Sequence, residues 1–327
     1  MIISRTPFRI SFFGGGTDYP AWCEAHEGAV LSTTFDKYCY ITCRKLPPFF
    51  DHRFRIAYSK VENVIDIEAI EHPAVRAVLK ELAVSDGLEI HCDADLPARS
   101  GLGSSSTFVV GMLNAIKALN GERVSNNWLA REAIRIEQEV LAETVGYQDQ
   151  TAAAYGGLNV YRFRSGAAIA IEPVVLAASR RNEFNDHLML FFTGFSRIAS
   201  DIAKEQVANV PAKTEELLRI RNMVDEALGI LTSGLDIRQI GELLHEAWCL
   251  KRTLSDSVSN NSIDGLYRRA REAGAVGGKL LGAGGGGFML LFVEPEKQCA
   301  VKAALKELIY VPFQFENTGS QIVYYQP

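Results

Sequence analysis

The sequence predicts an α+β protein in two halves, and three observations carry that prediction. Stretches rich in β-formers crowd the first 60 residues, whereas helical periodicity dominates later. The apolar pattern breaks at "ASRRNEFND", near 180–186, which divides the chain into 1–185 and 186–327. A chain of 327 residues with 47% hydrophobic composition can bury more than one core.

The elements follow in order. "IISRTPFRISFF", "GAVLSTTFDKYCYITCRKL" and "HRFRIAYSK" read as strands, separated by the triplet Gly14-Gly15-Gly16 and by Pro47-Pro48. "LEIHCDADLP" alternates as a half-buried strand does. After it, Val109, Met112, Leu113, Ile116 and Leu119 recur at helical spacing and end at a glycine. A second helix is expected over about 127–143, closing at Gly146, followed by the loop or short helix "YQDQTAAAYGG" and a strand. The second half reads as a strand ("HLMLFFTGF"), several helices, a glycine-rich segment leading into "FMLLFVEP", a helix and a last strand, "QIVYY".

Composition excludes several classes of function. A net charge of −5 without a basic block argues against a nucleic-acid partner. Six cysteines without a CxxC pair signal neither a zinc site nor a disulfide framework, and they read as reduced thiols of a cytoplasmic protein. No stretch resembles a signal peptide or approaches a membrane span, so no membrane partner is expected.

Three glycine-rich stretches concentrate the functional signal. "LPARSGLGSSSTF" sets Gly101, Leu102, Gly103, Ser104, Ser105 and Ser106 between a strand and a helix start, where free amides and the helix dipole favour a phosphate. A serine there also serves as an ordinary helix cap. The loop lacks the lysine of a Walker motif and the last glycine of a dinucleotide fingerprint. "GGKLLGAGGGGF", with Gly284 and Gly285, is either a structural bend or a second point of close approach to a ligand. In "FRISFFGGGTDYPAW", missing side chains at Gly15 and Gly16 stand beside Thr17 and Asp18.

Charged residues in unusual places complete the candidates. Glu137 shares the apolar stripe of its helix with Ala133, Ile134, Val140 and Leu141, so it needs an arginine or a metal as partner. With phosphate loops nearby, Mg²⁺ held by one carboxylate and a serine hydroxyl is the sharper reading. Asp149 caps a short helix or orients an attacking hydroxyl, and Arg9 makes a surface ion pair or neutralises a transferring phosphoryl group.

The three glycine motifs, in this order over nearly the whole chain, resemble those of the GHMP superfamily of small-metabolite kinases. The resemblance implies a ribosomal protein S5 domain 2-like N-terminal domain, a ferredoxin-like C-terminal domain, and ATP with its acceptor between them. It further implies Ser105 and Glu137 as Mg²⁺ ligands, Asp149 as the catalytic aspartate and Arg9 as its basic neighbour. Asp149 follows Glu137 by 12 positions, a spacing similar to that of galactokinases. Galactokinases carry Glu-His in place of Gly15-Gly16, while the sugar-binding Asp18 is retained. The pocket is therefore expected to be longer and to accept a sugar carrying a phosphate.

"GAVLSTTFDKYCYIT", "FTGFSRIASDI" and "HEAWCLKRTLSDSVSN" look like the bacterial heptose 7-phosphate kinases, which make the 1,7-bisphosphate on the way to GDP-heptose. Fucokinase domains share much of the pattern, so an unphosphorylated-sugar 1-kinase and a catalytically silent sugar-binding regulator are the alternatives. Lys37, Lys251 and Arg252 are the expected cations for the acceptor's phosphate.

Overall fold

The first β-forming stretch is a single 12-residue strand, β1 (Ile2–Phe13), in a computed structural model that describes residues 1–98, 100–194 and 199–327. The glycine triplet then turns the chain, and one helical turn, α1 (Pro20–Cys23), buries Trp22. Gly14 adopts φ +86°, and a Cβ there would strike the Ala29 carbonyl. The chain returns as β2 (Gly28–Lys45), an 18-residue strand antiparallel to β1 along nearly its whole length. The hairpin β3 (Phe54–Ala57) and β4 (Val61–Val64) is joined, through α2 (Pro73–Glu81), to β5 (Leu88–Ala94). β5 pairs with β2 on one side and runs parallel to β3 on the other.

α3 (Ser104–Leu119) follows and is buried almost all round, which is why apolar residues occupy most of its faces. α4 (Asn126–Arg135) starts on the Ser125 cap and widens into a π-helical turn over Ile136–Val140. The helix expected to 143 therefore stops at 140, and the wider turn leaves Val140 exposed instead of on the apolar stripe. α5 (Gln148–Tyr155), β6 (Asn159–Arg164) and β7 (Ala168–Pro173) complete this part, with β6 on the first half of β2.

The "ASRRNEFND" stretch is the helix α6 (Ala178–Asp186), after which β8 (Leu188–Phe192) opens a second sheet. α7 (Ala199–Asn209), α8 (Thr214–Thr232), α9 (Arg238–Arg252) and α10 (Asn261–Glu272) come next. β9 (Ala275–Leu280), β10 (Phe288–Val293), α11 (Gln298–Ala304) and β11 (Ile309–Val311) close the sheet in the order β11-β8-β10-β9. That antiparallel order, with helices after the first and third strands, is the ferredoxin-like arrangement. Its core includes Met189, Leu291 and Trp248, whereas α3 and the long strands share another with Phe12, Val109 and Leu113.

The last segment corrects the expected domain limits. β12 (Phe315–Glu316) pairs with β2, and β13 (Gln321–Tyr325) pairs with β1, so residues assigned to the second half finish the first sheet. The linking turn is pressed onto the end of α5: a Cβ on Gly156 would overlap the Thr318–Gly319 backbone. Among the described residues no helix is long and apolar enough to cross a membrane.

Candidate active site

Strand β1 carries Arg9 into the space between the two parts of the molecule, where it is 5% exposed. Its Nε and Nη2 each donate to one oxygen of Asp149 at 2.8 Å, a bidentate clamp. Its Nη1 donates to the Gly101 carbonyl at 2.7 Å. Asp149 lies in the first turn of α5 and does not cap it; its side chain keeps 29% of its surface open. One guanidinium thus holds both the carboxylate and the glycine loop that precedes α3.

That loop is left-handed where it must be. Gly101 and Gly103 adopt φ +84° and +75°, and a Cβ on Gly103 would lie 3.2 Å from Asp149 Oδ2. Leu102 is buried and its carbonyl accepts from the Arg9 amide at 3.3 Å, while Ser104 begins the helix. Bare backbone, the amides of the first α3 turn and the open face of Asp149 therefore meet at one point.

Glu137 stands behind this loop and is fully buried. The π-helical turn places it against α3, where its Oε2 accepts from Ser106 Oγ at 2.7 Å and from the Gln150 amide. Its Oε1 finds no partner among the described residues. Burial pushes its pKa up to about 7, against the pull of Ser106, Gln150 and Ser105. Among the described residues no arginine satisfies this carboxylate, and an orphaned oxygen beside two serine hydroxyls fits a hard divalent cation that uses few protein ligands. Ser106, expected only at the phosphate, is the serine bonded directly to Glu137, while Ser105 is exposed.

Asp18 is 7% exposed and is held by the amides of Gly16 at 3.2 Å and Gln148 at 3.3 Å. Burial first, and the nearby Asp149 charge second, raise its pKa to about 6. Gly146 is indispensable to this contact, since a Cβ there would overlap Asp18 Oδ2. Thr17 turns inward, its hydroxyl donating to the Gly14 carbonyl at 2.8 Å, so it braces the turn. Gly15 has room for a Cβ: its nearest neighbour would be Ser11 Oγ at 3.6 Å.

Four expected contacts change. Gly285 donates to the Val258 carbonyl at 3.0 Å, and a Cβ on Gly284 would lie 2.7 Å from that same residue. Both glycines therefore pack against the Val258 turn, and the Gly285 amide is engaged there. Lys37 is tied to Asp36 Oδ1 at 3.0 Å in a groove lined by Asn185, Tyr310 and Phe313, away from Asp149. Arg252 pairs with Asp264 at 2.7 Å on the surface. Lys251 does reach the site's margin, donating to the carbonyls of Leu280, at 3.1 Å, and Gly282. Gly282 in turn rests on Gly101, where a Cβ would overlap the Gly101 Cα. Sequence reasoning missed Lys279, which is buried in β9 and donates to the Phe12 carbonyl at 2.9 Å. A lysine inside the apolar run "AVGGKLL" was the available signal.

A carboxylate, a clamping guanidinium and a helix start brought together beside a glycine loop suit phosphoryl transfer to a small molecule. Family comparison agrees: residues 68–157 match the GHMP kinases N terminal domain and residues 230–311 the GHMP kinases C terminal domain. The chain is 30% identical to a D-glycero-alpha-D-manno-heptose 7-phosphate kinase of Campylobacter jejuni, over 97% of both chains. It is 26% identical to a bifunctional fucokinase/GDP-fucose pyrophosphorylase of Arabidopsis thaliana, over 92% of this chain and 31% of that one. A solved D-glycero-D-manno-heptose 1-phosphate kinase from Bacteriodes thetaiotaomicron superposes with a TM-score of 0.81 and 25% identity, covering 100% of each chain. The protein belongs to the GHMP kinase family.

Proposed function

We propose that this sugar kinase transfers the γ-phosphoryl group of ATP to the anomeric hydroxyl of a heptose 7-phosphate, giving the 1,7-bisphosphate. The observation that supports the choice of acceptor is the bare backbone at Gly15, close in sequence to Asp18, where an added Cβ would meet only Ser11 Oγ, at 3.6 Å. The Campylobacter relative, matched over 97% of its length, is named for the same acceptor.

Asp149 orients the attacking hydroxyl and receives its proton on the oxygen face left open by Arg9. Arg9 fixes that aspartate in a bidentate clamp and carries positive charge beside the phosphoryl oxygens. The amides at the start of α3 cradle the nucleotide phosphates, and Asp18 binds sugar hydroxyls at the other end. Glu137 Oε1, with the Ser105 and Ser106 hydroxyls, would hold Mg²⁺. Such an ion neutralises charge on the phosphate oxygens.

Steady-state kinetics with Mg-ATP and a panel of acceptors test this. Heptose 7-phosphate is expected to exceed free heptose, fucose and galactose by at least about tenfold in kcat/KM, which needs only ~1.4 kcal/mol of differential transition-state binding. Gly16→His, which introduces bulk against Leu217, is expected to abolish that preference while leaving nucleotide binding intact. A higher kcat/KM for fucose would replace the heptose assignment with the fucokinase reading.

A further inference from the structure

Three cations meet under the glycine loops. Arg9 enters from β1, Lys251 from the last turn of α9 and Lys279 from β9, and the three repel one another. Among the described residues the only carboxylate bonded to any of them is Asp149, and Arg9 takes both of its oxygens. Among the described residues, Lys251 and Lys279 are held by neutral carbonyls alone: Leu280 and Gly282 for the first, Phe12 for the second. Two lysines placed beside a guanidinium with no anion of their own are a costly arrangement for a protein interior. An arriving dianion relieves it. Lys279 is closed off at 6% exposure, whereas Lys251 is only half-buried and, among the described residues, has a third position on Nζ that no partner occupies.

We propose that Lys251 binds a phosphoryl group in the ternary complex, opposite Arg9 across the Gly101–Gly282 contact, with Lys279 as the positioning residue that holds the second cation layer against β1. This deepens the kinase reading and rests on it. The shared chemistry is a phosphoryl dianion with two possible sources, the γ-phosphoryl group of the nucleotide and the acceptor's own phosphate. Burial, and then the Arg9 charge, lower the Lys251 pKa to about 7, so much of this lysine is neutral before the anion arrives. The charged groups that bear on it are Arg9 on β1 and Lys279 on β9, with Asp149 bonded to Arg9. A phosphoryl dianion supplies the missing negative charge, and Lys251 takes up a proton from solvent as it binds.

Isothermal titration calorimetry of the full chain at pH 8, in two buffers of different ionisation enthalpy, reads this without turnover. Two ligand pairs are compared: a non-hydrolysable ATP analogue against ADP, and heptose 7-phosphate against free heptose. The wild type is expected to take up most of one proton with the phosphorylated member of one pair. Lys251→Met is expected to lose that uptake and to shrink the same pair's affinity ratio at least tenfold, and Lys251→Arg to restore the ratio without the uptake. The pair that collapses identifies the source. Equal proton uptake for both members of both pairs in the wild type overturns the proposal, whether or not the variants fold. Ratios in Lys251→Met within threefold of wild type overturn it as well. A wild type that binds these ligands as expected but phosphorylates no sugar phosphate would sink the proposed reaction instead and leave the Lys251 site standing.

Discussion

Asp18 offers a test in which stability and pH work against each other. Its pKa rises from 3.8 to about 6, chiefly through burial. Below the lower value both folded and unfolded chains carry the proton, and the buried carboxyl costs nothing extra. As pH climbs, the unfolded chain ionises first, so folded stability falls between about pH 4 and 6 and stays lower above. A shift of about 2 units at ~1.4 kcal/mol per unit is a penalty of about 3 kcal/mol at pH 8. Asp18→Asn removes the charge, but Gly16 and Gln148 donate to different oxygens of Asp18 and an amide NH2 accepts neither, so one of the two bonds goes, a loss of about 1 kcal/mol. The variant is therefore expected to be about 2 kcal/mol more stable than wild type at pH 8 and within about 1 kcal/mol of it at pH 4. Urea denaturation of ligand-free protein at the two pH values, followed by tryptophan fluorescence, measures both numbers. A gain of the same size at pH 4 and pH 8, or a loss at pH 8, would show that Asp18 is not held ionised at a cost. The same variant should bind sugar far more weakly, since stability gained at a site built for ligand is usually function lost.

Other expectations follow from the same geometry. Asp149→Asn should lower kcat by about 10³-fold or more with little change in nucleotide affinity, because the hydroxyl loses its acceptor while the amides at α3 remain; near-normal single-turnover rates would move the proton acceptor elsewhere. Glu137→Gln should raise the Mg²⁺ concentration needed for half-maximal activity, with activity largely regained at high metal; a metal titration identical to wild type would make the residue a structural one. Gly146→Ala should cost about 2–4 kcal/mol in thermal denaturation and raise KM for sugar more than for ATP, since the new methyl displaces Asp18; equal effects on both substrates would refute a local action.

Local patterns revealed most of the elements. β1 matches the stretch read from its alternation, and α3 the stretch read from its spacing, because each satisfies its hydrophobic pattern within one element. The four-residue spacing that put Glu137 on an apolar stripe was right about burial and wrong about Val140, because a π-helical turn has no signature in side-chain type. The pairing of Arg9 with Asp149 spans 140 residues and follows from topology, so only family resemblance pointed to it. Lys37 and Arg252 misled because a surface cation and a ligand-binding one look alike in sequence; their carboxylate partners decide the matter. Gly284 and Gly285 misled for the opposite reason, since close packing of two backbones selects glycine as strongly as phosphate does.

The return of β12 and β13 to the first sheet bears on how the chain folds as it is synthesised. A nascent chain that has reached residue 311 already holds every strand of the ferredoxin-like sheet. The earlier sheet, begun by residue 2, still lacks the second neighbour of Ile2–Arg5, which pair with β2 on their other side, and the Ser320 hydroxyl that joins Thr6 to Asn114. The part made first is therefore sealed last, and its open edge on β1 is exposed to wrong pairing until residue 325 has emerged. Shortening the chain from its C-terminal side would injure the nucleotide-binding half before the half in which the cut is made.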